Sequence, residues 1–269
     1  MNLEPIHKTE LNLLDIFISL CRQFHLTYFL IGGSMLGAVR HHGFIPWDDD
    51  LDVGMPRADY NQFLKLAPVT LGHTSYFLQT PFTDKDYGLS YAKLLDLDTE
   101  IEEFNNVNQA KKGIFMDIFP LDGIPAAASE RTSQITKLKF YDSSILLRLG
   151  YHLLDSPLND MFKPLTVNQY NQVRQLKRKR DNVLQQFNSS DHTEVKNLAS
   201  QYKYEKEIMA VSDMTDLISV EFEHYNVNIP RRYDLLLTQL YGDYRQLPPA
   251  KNQTNKHFKK VVIDGQELN

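Results

Sequence analysis

Between Lys8 and His25 apolar residues recur at Leu11, Leu14, Phe17, Ile18, Cys21 and Phe24, the spacing of one face of an α-helix. Thr9 stands where a cap is expected. The run Tyr28–Ile31 then predicts a short buried strand, cut off by Gly32 and Gly33. Ser34 is expected to cap a short apolar helix, Met35–Val39. Asp50-Leu51-Asp52-Val53 alternates polar and apolar, as a half-buried strand does, which sets Asp50 and Asp52 on one side of it. Beyond Pro56 the pattern predicts a helix over Arg57–Leu66, with Tyr60, Phe63, Leu64 and Ala67 on one face. Strands follow over Tyr76–Gln79, over Tyr87–Leu95 (alternating as Leu89, Tyr91, Lys93, Leu95) and over Gly113–Pro120.

The second half is more helical. Ile135, Leu138, Tyr141, Ile145, Leu146, Leu149 and Leu153 form a stripe that predicts a helix from Ser129 to His152. A core-facing helix explains such a stripe better than one lying in a membrane plane. Val167–Phe187 reads as another helix and carries the basic run Lys177 to Arg180, a weak signal for anionic lipid beside an ordinary solvated face. Asn188–Glu194 is a loop, Ser219–Tyr225 a strand, and Arg231–Leu240 a helix that Gly242 can cap.

Composition narrows the field. The chain has 269 residues, 42% hydrophobic and 11% aromatic, enough for a sizeable packed core. Its net charge of −5 and pI of about 6.0 give no basic field to attract nucleic acid. The single cysteine, Cys21, lies in an apolar helical pattern, as a core residue does, and leaves no internal disulfide or cysteine zinc site. The polar opening MNLEPIHKTE lacks a signal-peptide pattern and no apolar stretch reaches spanning length. A cytoplasmic location is therefore expected.

The candidate chemistry gathers between Tyr28 and Tyr60. A strand, a glycine turn and a helix start bring free backbone N–H groups to one spot, an anion-binding arrangement to which Gly32, Gly33 and Ser34 contribute. Asp48, Asp49, Asp50 and Asp52 sit among Ile45, Trp47, Leu51 and Val53, and carboxylates among large apolar residues are costly unless partnered. Two carboxylates on one strand face suit a hard cation whose octahedron is completed by substrate phosphates. Asp117 is lodged among Ile114, Phe115, Met116, Ile118 and Phe119; beside Asp50 and Asp52 it would be a third carboxylate. Lys93 is a candidate for donor phosphates or for one of the aspartates, against a lysine snorkelling from a strand edge. Arg40 is equally a phosphate ligand or an arginine complementing its helix dipole. Asp122 reads as a turn residue. His41 and His42 are adjacent and diverge, so they make no metal pair.

The block GGSMLGAVRHHGFIPWDDDLDVGMPRADY, with Lys93, GIFMDIFPLDGIP and YGDYRQLPP, resembles the LicD family within the nucleotidyltransferase-fold superfamily. The match runs from the first helix to Pro249 and is weakest between Ala127 and Met214. The resemblance implies an α+β fold: a nucleotidyltransferase-like mixed β-sheet with flanking helices in residues 1–126, and a mainly helical part, 127–269, packing on it and completing the site. It implies a phosphotransferase that moves phosphocholine, or a similar phospho-alcohol, from CDP-choline or another CDP-alcohol to a hydroxyl of a glycan, teichoic-acid or lipid-linked precursor, releasing CMP. Asp50, Asp52 and Asp117 would be its catalytic and metal-binding residues, with Asp48 a further metal candidate, Mg²⁺ the ion and Mn²⁺ an alternative. Asp117 would also be the base for the acceptor. Tyr244 and His257 would join Gly32, Gly33, Ser34, Arg40 and Lys93 around the donor, although NQTNKH lacks the arginine the family places before that histidine. Work at the inner membrane face, with peripheral association, fits such an acceptor. Two other readings share the signature: a nucleotidyltransferase that uses a nucleoside triphosphate, and an inactive member that binds nucleotide or glycan.

Overall fold

A computed structural model describes residues 2–103, 108–151, 165–189, 191–255 and 257–268. The first helix, α1 (Glu4–Phe24), starts earlier than its apolar stripe because Pro5 suits a first turn. Thr9 is therefore inside the helix, buried, its hydroxyl donating to the Pro5 carbonyl. Strand β1 (Phe29–Leu30) leads into α2 (Gly32–His41), and β2 (Asp52–Pro56) runs into α3 (Arg57–Leu71). Strands β3 (Tyr76–Gln79), β4 (Ala92–Asp96), β5 (Thr99–Glu103) and β6 (Ile114–Gly123) complete the first half. The second half supplies α4 (Ala128–Arg148), α5 (Val167–Leu184), β7 (Glu194–Lys196), β8 (Ile208–Ala210), β9 (Leu217–Phe222), β10 (Tyr225–Pro230), α6 (Tyr233–Tyr241), β11 (Phe258–Ile263) and β12 (Gln266–Glu267). The fold is α+β, as expected, and the second half adds six strands to its three helices. His152, Leu153 and Lys256 lie outside the described residues.

The main sheet is mixed. Its order is β1-β2-β6-β4-β3, with β7 pairing β6 and β8 pairing β7. Only β2 and β6 in that sheet run parallel among the described strands. β6 is buried along its whole length, the continuous apolar run expected of a strand covered on both faces. Helices α1 and α3 pack on it, and one core cluster joins them to β1, β2, the β9–β10 hairpin and α6. A second cluster gathers Leu3 and Ile6 with Ile101, Phe115, Phe258 and Val261, where β11 pairs β5 in a separate small sheet.

Four expectations are corrected. The strand over Tyr87–Leu95 begins only at Ala92, because the Gly88 and Leu89 carbonyls accept from the buried guanidinium of Arg180 instead of from a neighbouring strand. Arg180 and Lys177, read as part of a solvated basic run, are buried on that segment. The strand over Ser219–Tyr225 is a hairpin turning at Glu223, whose φ is +54°. Glu223 donates its N–H to His42 and accepts the Phe44 N–H on its carboxylate, so local contacts to the 42–44 loop fix a turn that lacks the usual Asn-Gly. Asp122 is a strand residue, fully buried, accepting from Arg57 Nε at 2.7 Å and from Asn188 Nδ2 at 2.7 Å.

That buried pair ties β6 to the start of α3. Removing one partner leaves an uncompensated charge, a loss of about 3–5 kcal/mol. Asp122→Ala is expected to lower the free energy of unfolding by that amount in urea titrations.

Candidate functional site

Register builds the site. Asp52 on β2 lies opposite Asp117 on β6, and Lys93 on β4 lies opposite Asp117 on its other side. Residues opposite one another on neighbouring strands share a sheet face, so Asp52, Asp117 and Lys93 form one row. Lys93 Nζ stands 3.4 Å from Asp117 Oδ1 and 3.7 Å from Glu103 Oε1, with the Phe115 ring beneath it. Asp117 Oδ1 is buried and receives no hydrogen bond.

Asp50 precedes β2 rather than lying on it, and keeps 19% of its side chain in solvent. Its Oδ2 is 3.7 Å from His257 Nδ1. Asp49, which has no solvent exposure, turns the other way. It accepts the backbone N–H of His257 at 3.0 Å and of Phe258 at 3.2 Å, and its Oδ1 meets His257 Nδ1 at 2.9 Å. The tail is thus clamped to the acidic loop by one carboxylate. From beneath, His7 Nε2 meets the Asp48 carbonyl at 2.8 Å while its ring stacks on Phe44. Glu10, also on α1, is fully buried with no hydrogen bond to either carboxyl oxygen.

The glycine turn is shaped by these carboxylates. A Cβ at Gly33 would lie 2.6 Å from Asp48 Oδ2, and one at Gly32, whose φ is +54°, would lie 3.2 Å from Asp52 Oδ2. Only glycines let the start of α2 come so close. Ile31 is the residue that precedes α2, so Ser34 is not its cap. Ser34 is buried in the first turn, and its Oγ accepts the Asp52 N–H at 2.7 Å. It locks the two halves of the motif together.

Burial, with crowding of like charge behind it, sets the proton affinities. Burial first, then Asp50, Asp117, Asp48 and Glu207, push Asp52 well above the usual carboxylate range. Burial also raises Asp117, against the pull of Lys93 and His257, and raises Asp50, against the pull of His257. Glu10 is raised strongly by burial and then by Asp50, Asp49 and Asp48. Burial opposes the charged form of His257, but the Asp49 hydrogen bond and the charges of Asp50 and Asp49 outweigh it and lift the imidazole to about 9.

Not every sequence candidate reaches this cluster. Arg40 occupies the far end of α2, where Nη1 donates to the Tyr244 carbonyl at 2.7 Å and to that of Gln246 at 3.3 Å. Tyr244 is buried, its hydroxyl donating to Asp234 at 2.7 Å. The two hold the segment after α6 against α2. Conversely, the periodic pattern could not reveal Glu10 as a member, because it simply continues a helix face.

Among the described residues no three His, Cys, Asp or Glu side chains are gathered closely enough to hold a metal by themselves. The donor set nevertheless fits a hard divalent cation. Two carboxylates, Asp52 and Asp117, stand in register, and such an ion draws its remaining ligands from phosphate and water.

A mixed sheet with a Gly-Gly turn facing paired aspartates defines a nucleotidyltransferase-type domain. Residues 25–145 match the family described as LicD/FKTN/FKRP, nucleotidyltransferase domain. The lipopolysaccharide cholinephosphotransferase LicD of Haemophilus influenzae is 30% identical over 262 residues, 94% of this chain and 95% of that one. Uncharacterised proteins of Rickettsia typhi and Rickettsia prowazekii share 46% and 42% identity over 44 and 52 residues. Those matches cover 16% and 19% of this chain, and 14% and 20% of the relatives. The chain belongs to the LicD family of phosphotransferases and is an enzyme.

The clamp makes two expectations. Asp49→Ala leaves two backbone N–H groups without their acceptor, a loss of about 2–3 kcal/mol, and should expose the segment around His257 to limited proteolysis. The charged imidazole's contribution is whole below its unfolded value of about 6.5 and is lost as pH rises through about 9. Proteolysis of the same segment should accelerate across that upper range.

Proposed function

We propose that the chain is a cholinephosphotransferase that moves phosphocholine, or a similar phospho-alcohol, from CDP-choline or another CDP-alcohol to a hydroxyl of a lipopolysaccharide, teichoic-acid or other cell-surface glycan. The observation that carries the reading is the in-register Asp52–Asp117 pair beside the Gly32–Gly33 turn, in a chain similar along almost its whole length to a cholinephosphotransferase.

In this reading the diphosphate lies against the start of α2, where the backbone of Gly32 and Gly33 admits it and the helix N-terminus favours negative charge. Asp50, Asp52 and Asp117 would hold Mg²⁺, or Mn²⁺, with Asp48 a further candidate ligand. The bound ion supplies neutralisation of the diphosphate and of the leaving CMP. Lys93, held by Asp117 and Glu103, aims a fixed positive charge at the same row. Asp117, beside Lys93, would take the proton of the acceptor hydroxyl. The acceptor oxygen forms a bond to the choline-bearing phosphorus, the bridging P–O bond breaks, and the electron pair leaves with CMP. Phosphoryl transfer asks mainly for such positioning and charge neutralisation. His257, held by Asp49, tunes Asp50, while Arg40 and Tyr244 act at a distance by seating the segment after α6. Residues 127–269 then complete a site whose carboxylates come from residues 1–126.

No described helix is long and apolar enough to cross a membrane. A cytoplasmic enzyme meeting its glycan or lipid-linked acceptor at the inner membrane face, by peripheral association, is part of the proposal.

The test is CMP release from CDP-choline with a glycan acceptor and Mg²⁺. Asp50→Ala, Asp52→Ala and Asp117→Ala are each expected to lower turnover by about 100-fold or more while circular dichroism stays native. A chelator should stop the reaction and Mg²⁺ restore it. Pyrophosphate released from a nucleoside triphosphate, in place of CMP, would overturn the donor assignment.

A further inference from the structure

A cavity opens beside the glycine turn, on the face of the sheet that carries Asp52. Gly54 follows Asp52 by two residues on β2 and so belongs to that face. A Cβ there would lie 2.8 Å from Ile31 Cγ2, 2.8 Å from Leu121 Cδ2 and 3.1 Å from Phe29 Cε2. Those three side chains therefore meet over Gly54, and all three line the cavity, whose volume is about 440 Å³ with its open mouth included. Gly32 and Met35 bring the start of α2 into the same lining, and Leu236 and Leu240 of α6 add apolar surface. Gly32 is also the glycine that lies against the Asp52 carboxylate.

Three polar side chains complete the lining, Asn197, Lys206 and Glu207. Asn197 is buried, and its Oδ1 accepts the Ala199 N–H at 3.0 Å, which leaves the amide nitrogen as the donor this side chain can offer. Glu207 is half-buried, with Oε2 3.5 Å from Lys196 Nζ, and a carboxylate has lone pairs for further donors. Lys206 Nζ is held by the Gln239 carbonyl at 2.9 Å. Apolar walls with an amide and a carboxylate among them suit a flat heterocycle with a polar edge. They suit a quaternary ammonium poorly. Phe29 is the single aromatic side chain among the described lining residues, and Lys206 adds positive charge.

We infer that this cavity receives the nucleobase of the donor and that Asn197 and Glu207 select cytosine. The inference rests on the proposed function and goes beyond it by naming the side chains that read the base. With the diphosphate against Gly32 and Gly33, the nucleoside extends from Gly32 into the cavity. Cytosine carries a 4-amino donor, which Glu207 accepts, beside a ring N3 acceptor that meets the Asn197 amide. Uracil reverses both, setting an oxygen against the carboxylate and an N–H against an N–H. A site that pairs one base edge rejects a base that leaves its own polar groups unpaired.

Calorimetry on the full chain with Mg²⁺, using CMP, UMP, phosphocholine and inorganic pyrophosphate, tests this. The unsubstituted protein should bind CMP about tenfold or more tighter than UMP. Glu207→Gln, whose amide can present either a donor or an acceptor, should bring that ratio close to one. Pyrophosphate, which reports on the glycine turn without the base, should bind as before. Asn197→Asp keeps the acceptor for the Ala199 N–H and removes the donor, so it should lower the ratio at least as far. That second variant decides the matter if Glu207→Gln, in stripping Lys196 of its partner, fails to fold. A CMP preference that survives in a variant binding pyrophosphate normally overturns the subsite and leaves the donor reading standing. So does a loss of phosphocholine affinity with CMP unchanged, which would put the alcohol in the cavity. If CMP and UMP bind alike while CDP-choline is turned over, the subsite again falls alone. If CDP-choline yields no CMP, the donor reading falls and the subsite falls with it.

Discussion

Mutual repulsion among carboxylates packed into a dry space is the constraint from which the rest of this structure follows. Asp52 and Asp117 cannot separate, because β2 and β6 hold them in register across a parallel ladder. Asp48, Asp50 and Glu10 add charge from a loop and a helix. Lys93 and His257 answer only part of it, since Asp50, Asp52 and Asp117 still titrate above their ordinary range. Several devices of the fold keep that cluster assembled. Ser34 pins the Asp52 backbone, His7 pins that of Asp48, and the glycines leave room for both side chains.

The same constraint explains which parts of the protein were legible in the sequence. Carboxylates embedded among Ile, Leu, Val and Phe are conspicuous in a linear reading, so Asp50, Asp52 and Asp117 stood out, as did the glycines facing them. The α+β class and most helices followed from periodicity over long stretches. What escaped was non-local. Ser34 reads as a cap because its neighbours favour one, but its partner is 18 residues away on β2. The carbonyls that a strand over Tyr87–Leu95 would have used are taken by Arg180, about ninety positions on in the chain. Strands β5, β11 and β12 are short, and β11 pairs with a β5 that lies far back in the chain.

Arg40 and Tyr244 illustrate a different error. Both belong to blocks that resemble the family signature, and proximity in the motif suggested proximity to the donor. In the fold, α2 carries Arg40 to its opposite end, where the guanidinium is satisfied by main-chain carbonyls. Its role is to seat the segment after α6. A signature records what must stay together, whether for contact with substrate or for the frame around it.

The Asp49 clamp joins residues 208 and 209 positions apart, and β11 pairs with β5 across a comparable span. Loops of that length close late, since their entropy must be lost before the contacts reward it. As the chain leaves the ribosome, the aspartate row can form while the histidine that faces it has yet to be translated. The carboxylates therefore stay uncovered until the segment around His257 has been made. A pause or a premature stop beyond α6 would leave a folded, carboxylate-rich shell without the histidine that quiets it.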